Sequence, residues 1–352
     1  MDILKNKVIS AAQLFAAGIV PAILSACLSC GPVLDLRDFS DADLFPPVIE
    51  KIIATDEYNI TLEFNEDVSL NRDVNISPEL GTAIVTTGDS NLTLTFNKAQ
   101  IAGTRYIIDA EVSDSTGNRM SFLIPFYGFN PNLPKLLINE FTTQGSSTHP
   151  DIVELLITDG GNLAGLWIVE GTTDYPEESI SMPALEVETG DYLLIHFKPQ
   201  GIDDEIDETG SLLDESAGYD ASPVARDFWV PGGGGLSGNN GVIAIYSAPG
   251  GRIIDAVLYS NRTSSSDENY SGFGSSRMLD KAVQITTEGG WTGSGDNGSP
   301  IPEDGLNPDD STATRSMCRL SEPEDTDSSA DWHIVPTSGS TFGSLNTDAV
   351  YE

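Results

Sequence analysis

The chain has 352 residues, with 17 Lys+Arg against 54 Asp+Glu for a formal charge of −37. Hydrophobic residues make up 39%, too many for a wholly disordered chain, and the length is that of about two ordinary domains. Three cysteines are too few for a disulfide scaffold or a cysteine-rich zinc site, and the acidity disfavours phosphate backbones, which excludes nucleic acid as a direct partner.

Lys5 and Lys7 open a broken apolar stretch from Val8 to Ile23, interrupted by Gln13, Gly18 and Pro21. It is shorter than the roughly 20 apolar residues that span a bilayer, so a transmembrane helix is the weaker reading and a cleaved secretory signal the nearer competitor. Leu24-Ser25-Ala26-Cys27 follows, and these four residues resemble the lipobox of bacterial lipoproteins. The resemblance implies cleavage after residue 26, acylation of Cys27 (Cys30 is the alternative), and attachment to a lipid bilayer at the bacterial cell envelope. The outer membrane is the expected location, at its periplasmic or surface face. Two or three acyl chains, at about 0.8 kcal/mol per buried CH₂, make such attachment durable. Removing residues 1–26 takes away Lys5, Lys7 and Asp2, so the mature charge becomes 15 − 53 = −38.

Residues 27–46 are poor in core-formers and carry Asp35, Asp38, Asp41 and Asp43, the composition of a flexible acidic tether. Such a coil spans about 25 Å and reaches at most roughly 70 Å. From 47 to 130 apolar residues recur at period two: Ile60, Leu62, Phe64; Leu92, Leu94, Phe96; Tyr106, Ile108, Ala110, Val112; Phe122, Ile124, Phe126. That spacing puts each set on one face of a strand, and several short strands separated by Gly/Asp/Asn turns predict an antiparallel β-sandwich. Pro47-Val48-Ile49-Glu50, the run Ile60 to Val68 and Asp114-Ser115-Thr116-Gly117-Asn118 together resemble a bacterial Ig-like domain. The resemblance implies a spacer or adhesive unit without chemistry.

After a Pro/Asn linker at 129–134, strands are predicted at Lys135 to Phe141, at Asp151 to Leu155 and at Asp191 to Ile195, with a hairpin pairing Gly241–Tyr246 and Arg252–Tyr259. Ile138-Asn139-Glu140, Asp151 to Leu155, Leu163 to Trp167, Ser316 to Arg319, Asp331-Trp332 and Thr341 to Asn346, taken in order, resemble the lamin-tail domain over about 134–347. The resemblance implies a second Ig-like sandwich, so the expected fold is all-β, two antiparallel sandwiches after a signal peptide. Its signature positions here are Asn139, Glu140, Asp151, Glu154, Gly165, Arg319, Trp332, Gly343 and Asn346, read as structural. Phe342 stands where the family has proline. Stretches near 199–240 and 260–312, rich in Gly, Ser, Asp and Glu, are expected to be surface loops. Ser276-Arg277 with Gly290-Trp291 loosely echoes the Ser-x-x-Arg and Asp-Trp ending.

Chemistry is sparse. His149, His196 and His333 have no helical metal spacing, and neither a His-Glu-x-x-His motif nor a Gly-x-Ser-x-Gly elbow occurs. Cys318 reads as a small buried hydrophobe. Glu140 and Glu154, on successive strands, are the best candidates for a hydrolytic carboxylate pair, against the simpler expectation that they accept hydrogen bonds of the fold. Asp203, Asp204, Glu205, Asp207 and Glu208 form an acidic loop that could weakly bind calcium; Glu303-Asp304 with Asp309-Asp310 is a second such loop. Pro231 to Gly235 lacks the Gly-Lys-Ser/Thr continuation of a phosphate cradle. No firm cofactor is implied. The expected function is a non-catalytic binding, adhesion or structural module for a protein or glycan, the alternative being an exported calcium-dependent hydrolase.

Overall fold

The period-two runs of the N-terminal half become strands whose apolar faces meet. The computed structural model describes residues 43–266 and 268–352. The signal stretch, Cys27, Cys30 and most of the tether lie outside the described residues. From Pro46 to Glu352 the chain forms one unit built from two sandwiches with separate apolar cores.

The first sandwich comprises β1 (Ile49–Ala54), β2 (Asn59–Phe64), β3 (Ser69–Leu70), β4 (Asn75–Ser77), β5 (Ala83–Gly88), β6 (Asn91–Phe96), β7 (Arg105–Ser113) and β8 (Arg119–Tyr127). One sheet runs β1-β2-β6-β5; the other centres on β7, flanked by β8 on one side and by β3 and β4 on the other. Ile60, Leu62, Leu92, Leu94, Ile108, Ala110 and Val112 are fully buried between them. Asp114 holds the β7–β8 turn, its Oδ1 accepting the amides of Thr116, Gly117 and Asn118.

The second sandwich comprises β9 (Lys135–Phe141), β10 (Ile152–Asp159), β11 (Gly161–Asn162), β12 (Trp167–Gly171), β13 (Pro176–Ser181), β14 (Glu186–Val187), β15 (Tyr192–His196), β16 (Arg226–Trp229), β17 (Asn240–Tyr246), β18 (Ile253–Ser260), β19 (Met317–Arg319) and β20 (Trp332–Ile334). A six-stranded sheet, β16-β15-β10-β9-β19-β20, faces a four-stranded one, β13-β12-β17-β18. The fold is nearly all β, and its strand pairs are antiparallel except β15 with β16. No helix among the described residues is long and apolar enough to cross a membrane.

The segment joining the sandwiches is packed. Asn130 donates to the carbonyls of Asn162 and Ala164 at 2.8 and 3.0 Å. Gly103 and Gly165, both at positive φ, touch backbone to backbone, and a Cβ on Gly165 would lie 2.6 Å from the Gly103 Cα. That contact explains why residue 165 is glycine.

The two stretches expected to be surface loops are not only that. Residues 199–240 include β16, whose Phe228 is fully buried. Residues 260–312 include a helix, α1 (Ser276–Glu288). Its Met278, Lys281, Ala282 and Ile285 recur at helical spacing and bury one face. The Ser275 hydroxyl caps its start and Gly289, at φ 81°, ends it. A composition rich in Ser, Gly and acids concealed an apolar stripe of three residues, Met278, Ala282 and Ile285. The Ser276-Arg277 echo dissolves here, because Arg277 lies exposed in the first helical turn and pairs with Glu177.

Candidate functional site

A bulge in β9 builds a buried polar cluster. Against β10 the register passes from Glu154 opposite Glu140 to Leu155 opposite Ile138, leaving Asn139 as the extra residue. The phase of the strand therefore changes. Leu136 and Ile138 enter the core, then Phe141 does, while Asn139 and Glu140 are buried outside it. What buries them is the C-terminal segment 341–346.

Glu140 accepts hydrogen bonds from the Ser316 hydroxyl and from the Thr341 amide and hydroxyl, the last at 2.7 Å. Glu154 accepts the Asn139 amide at 2.7 Å and the backbone N–H of Gly343. Asn139 and Asn346 donate to each other at 2.8 and 3.0 Å, and Asn346 also donates to the Arg319 carbonyl. Gly343 adopts φ 80° with its Cα facing Ser222, a backbone that a side chain would strain. Phe342 packs on Ile152, Leu194 and Ala225, the apolar patch of the sheet's outer face. Two carboxylates thus clamp a strap across that face.

Both carboxylates are fully buried. Burial raises Glu140 above the ordinary range, opposed by its hydrogen bonds to Ser316 and Thr341. Burial, reinforced by the neighbouring Glu140 charge, pushes Glu154 up to about 8. Cys318, opposite Glu140 on β19, is buried and free, and burial pushes its thiol up, so it is not poised as a nucleophile.

Arg319 extends the cluster beneath the strap. Completely buried, it donates from Nε to the Ile138 carbonyl (2.8 Å), from Nη1 to the Glu324 carbonyl (2.7 Å) and Asp331 (3.3 Å), and from Nη2 to Asp325 (3.0 Å). Its guanidinium lies over the Trp332 ring at 4.8 Å. The backbone N–H of Ile138, beside the bulge, donates to Asp255 on β18 at 2.6 Å, so Asp255 ties the two sheets together. Burial pushes Asp255 up to about 7, with Arg319 opposing and Asp325 adding to the rise.

Of the nine signature positions, the structure brings Asn139, Glu140, Glu154, Arg319, Trp332, Gly343 and Asn346 together. Asp151 and Gly165 lie elsewhere. Asp151 accepts the amides of Gly145 and Leu236. The amide of Gly234 goes to Glu178 and that of Ser237, just after the glycine run, to Glu170, while those of Gly233 and Gly235 go to the carbonyls of Val230 and Phe197, so these amides serve the fold.

Among the described residues, the acidic loop at 203–208 does not bring three ligand oxygens close together. Glu205 accepts the amides of Gln200 and Gly201, Asp207 that of Trp229, and Glu208, fully buried, those of Glu215, Ser216 and Asp227. These three brace separate turns. Asp304 of the second acidic loop likewise accepts the amides of Ser294 and Ile301.

Sequence reasoning quoted Ser316 and Thr341 within the resemblance without giving them a role, and it missed Asp255, Asp325 and a buried dyad. His196 Nε2 lies 2.7 Å from Asp227 Oδ1, and the imidazole stacks on Trp229 at 3.8 Å. His196 Nδ1 makes no hydrogen bond, so no hydroxyl nucleophile is paired with the dyad. One signal was available for Asp255, a lone charge inside the apolar run Ile253 to Tyr259. An open groove of about 1120 Å³ runs between β1, the end of β8 and the β17–β18 turn, lined among others by Lys51, Ile53, Phe129, Pro249 and Glu288.

The protein-family model described as TP_1001_2nd, protein second domain, matches residues 134–334, more than half of the chain. The chain belongs to this family. The matched span covers the second sandwich through β20 and leaves the strap just beyond it. A protein of Treponema pallidum (strain Nichols) described as uncharacterized is 28% identical over 164 residues, which is 45% of this chain and 40% of that relative. The chain therefore matches well under two thirds of that relative's length. Among solved structures, an L,D-transpeptidase from Mycobacterium smegmatis aligns with 53% of this chain and 90% of its own at 10% identity, with a TM-score of 0.17.

Proposed function

We propose that this chain is a non-catalytic binding or structural module held at the bacterial envelope. In this reading Cys27, or Cys30, carries the acyl chains, residues 27–46 tether the folded part, an Ig-like sandwich follows at 47–130, and a lamin-tail-like sandwich occupies 134–347. The observation that supports it is the state of Glu140 and Glu154. The pair nominated for hydrolysis is sealed beneath the C-terminal strap and spends its lone pairs on Ser316, Thr341, Asn139 and Gly343. Hydrolysis needs such carboxylates facing a substrate cleft, whereas these hold the fold. The groove beside β1 and β8, with both apolar and charged walls, is where a protein or glycan ligand is to be sought.

Mass spectrometry of the mature N-terminus tests the anchor: a diacylated or triacylated cysteine, with processing blocked by globomycin, is the expected result. An unmodified N-terminus sinks it. Protein and glycan arrays run beside hydrolase screens, with and without calcium, test the module. Calcium-dependent turnover abolished by Glu140→Gln or Glu154→Gln in a folded protein would decide for an enzyme.

A further inference from the structure

β18 carries Asp255 into the space between the two sheets, where it is 1% exposed. Its Oδ2 accepts the Ile138 amide, while Oδ1 accepts no hydrogen bond. A buried carboxylate oxygen without a donor is costly and calls for a partner. Arg319 supplies an ion pair but no hydrogen bond: its Nη2 stands 3.8 Å from Oδ1, and the hydrogen bonds it donates go to Ile138, Glu324, Asp331 and Asp325. That same Nη2 is 3.0 Å from Asp325, so Oδ1 is aimed toward the loop that follows β19. There a carboxylate oxygen from each of Asp255, Asp325 and Asp327 falls within 4.8 Å of the others. Asp331 is not available, because its oxygens take the Thr326 amide and hydroxyl.

From this convergence we propose a site for a hard divalent cation, calcium, liganded by Asp255, Asp325 and Asp327. It is distinct from both acidic loops that composition had singled out, and independent of the proposed function. All three ligands are oxygens, as calcium and magnesium require. The irregular loop suits calcium, which accepts six to eight ligands in flexible geometry, better than magnesium, which demands a near-ideal octahedron. Asp255 closes the inner side, and the exposed Asp325 leaves the outer side to water. Asp255, Asp325 and Asp327, with Asp331 beside them, outnumber the single charge of Arg319, so a divalent ion relieves the excess of negative charge. The guanidinium next to the ion repels it, which places affinity in the weak range of extracellular modules, on the order of 10⁻⁴–10⁻³ M.

Terbium luminescence excited through tryptophan, on the full chain, tests the site; Trp332 lies under Arg319 and Trp291 adjoins Thr292, which donates to the Asp327 carbonyl. The expected result is a sensitised signal displaced by calcium in the 10⁻⁴–10⁻³ M range and at least tenfold less sensitive to magnesium. Asp325→Asn with Asp327→Asn should cut terbium affinity tenfold or more, while Asp203→Asn with Asp204→Asn leaves it unchanged. If the first double variant unfolds by circular dichroism, Asp327→Asn alone is read in its place. No sensitised signal means no ion is held near these tryptophans, and equal displacement by magnesium or equal loss in both double variants means general attraction to an acidic surface; each overturns the site.

Discussion

The two sandwiches are stabilised by different physics. In the first, the buried side chains are almost all apolar: Ile60, Leu62, Leu92, Leu94, Ile108 and Val112 alternate with half-exposed polar neighbours. Its buried polar residues Gln100 and Asp114 sit in turns and spend their oxygens on backbone amides. The second buries Glu140, Glu154, Glu170, His196, Asp227, Asp255, Lys281 and Arg319. A core held by removal of apolar surface is indifferent to pH. One that includes buried ionisable groups depends on which of them hold protons, and on every partner being present.

The largest expected effect therefore lies in the second sandwich. Arg319→Ala removes the cation facing Asp255, Asp325 and Asp331, leaves the Ile138 and Glu324 carbonyls without their donor, and should cost about 3–5 kcal/mol. Tryptophan fluorescence during urea unfolding measures it cleanly, because Trp167, Trp229, Trp291 and Trp332 all lie in the second sandwich and none in the first. A loss below 1 kcal/mol would show that the network is peripheral.

Next comes Leu94→Ala, which opens a cavity in the first core and should cost about 3 kcal/mol. Far-UV circular dichroism reads this loss, since the first sandwich carries no tryptophan. The comparison predicts the same cost at pH 5 and at pH 8. A cost that changes by more than about 1 kcal/mol between them breaks the contrast between the sandwiches.

The smallest effect, at pH below about 4.5 where Glu154 is protonated in both states, is that of Glu154→Gln, about 1 kcal/mol from one mismatched hydrogen bond. Its diagnostic is a slope. With the folded pKa raised from 4.5 to about 8, the native state keeps a proton that the unfolded chain releases. Stability is then fully present below about 4.5 and is lost as pH rises to about 8, by at most about 1.4 kcal/mol per pH unit for one proton. Glu154→Gln should flatten that decline in the tryptophan-reported transition. An unchanged slope between pH 5 and 8 would assign the proton to other groups.

The strands were legible because period two is local: Leu92, Leu94 and Phe96 announce a buried face within five residues, and β6 follows them. The hairpin of β17 and β18 was legible for the same reason, with Pro249-Gly250-Gly251 at the turn. The helix α1 was missed, although Met278, Ala282 and Ile285 carried its spacing, because three apolar positions are a faint stripe among Ser, Thr and Asp. The buried cluster was half legible. Its signature residues stood out by resemblance, but the bulge at Asn139 that turns Glu140 outward has no local mark.

Sequence alone determined the all-β class and the apolar faces of β2, β6, β7 and β8 in the first sandwich, and it nominated Glu140, Glu154, Arg319 and Asn346 as residues of the fold. Only the tertiary structure decided what those residues touch. Glu140 meets Thr341 across 201 positions and Asn139 meets Asn346 across 207. Asp255 meets Arg319 and Asp325 only because β18 and β19 lie in facing sheets. Periodicity is set by neighbours along the chain, whereas the partner of a buried charge is set by how the sheets are stacked, and no short-range pattern encodes that.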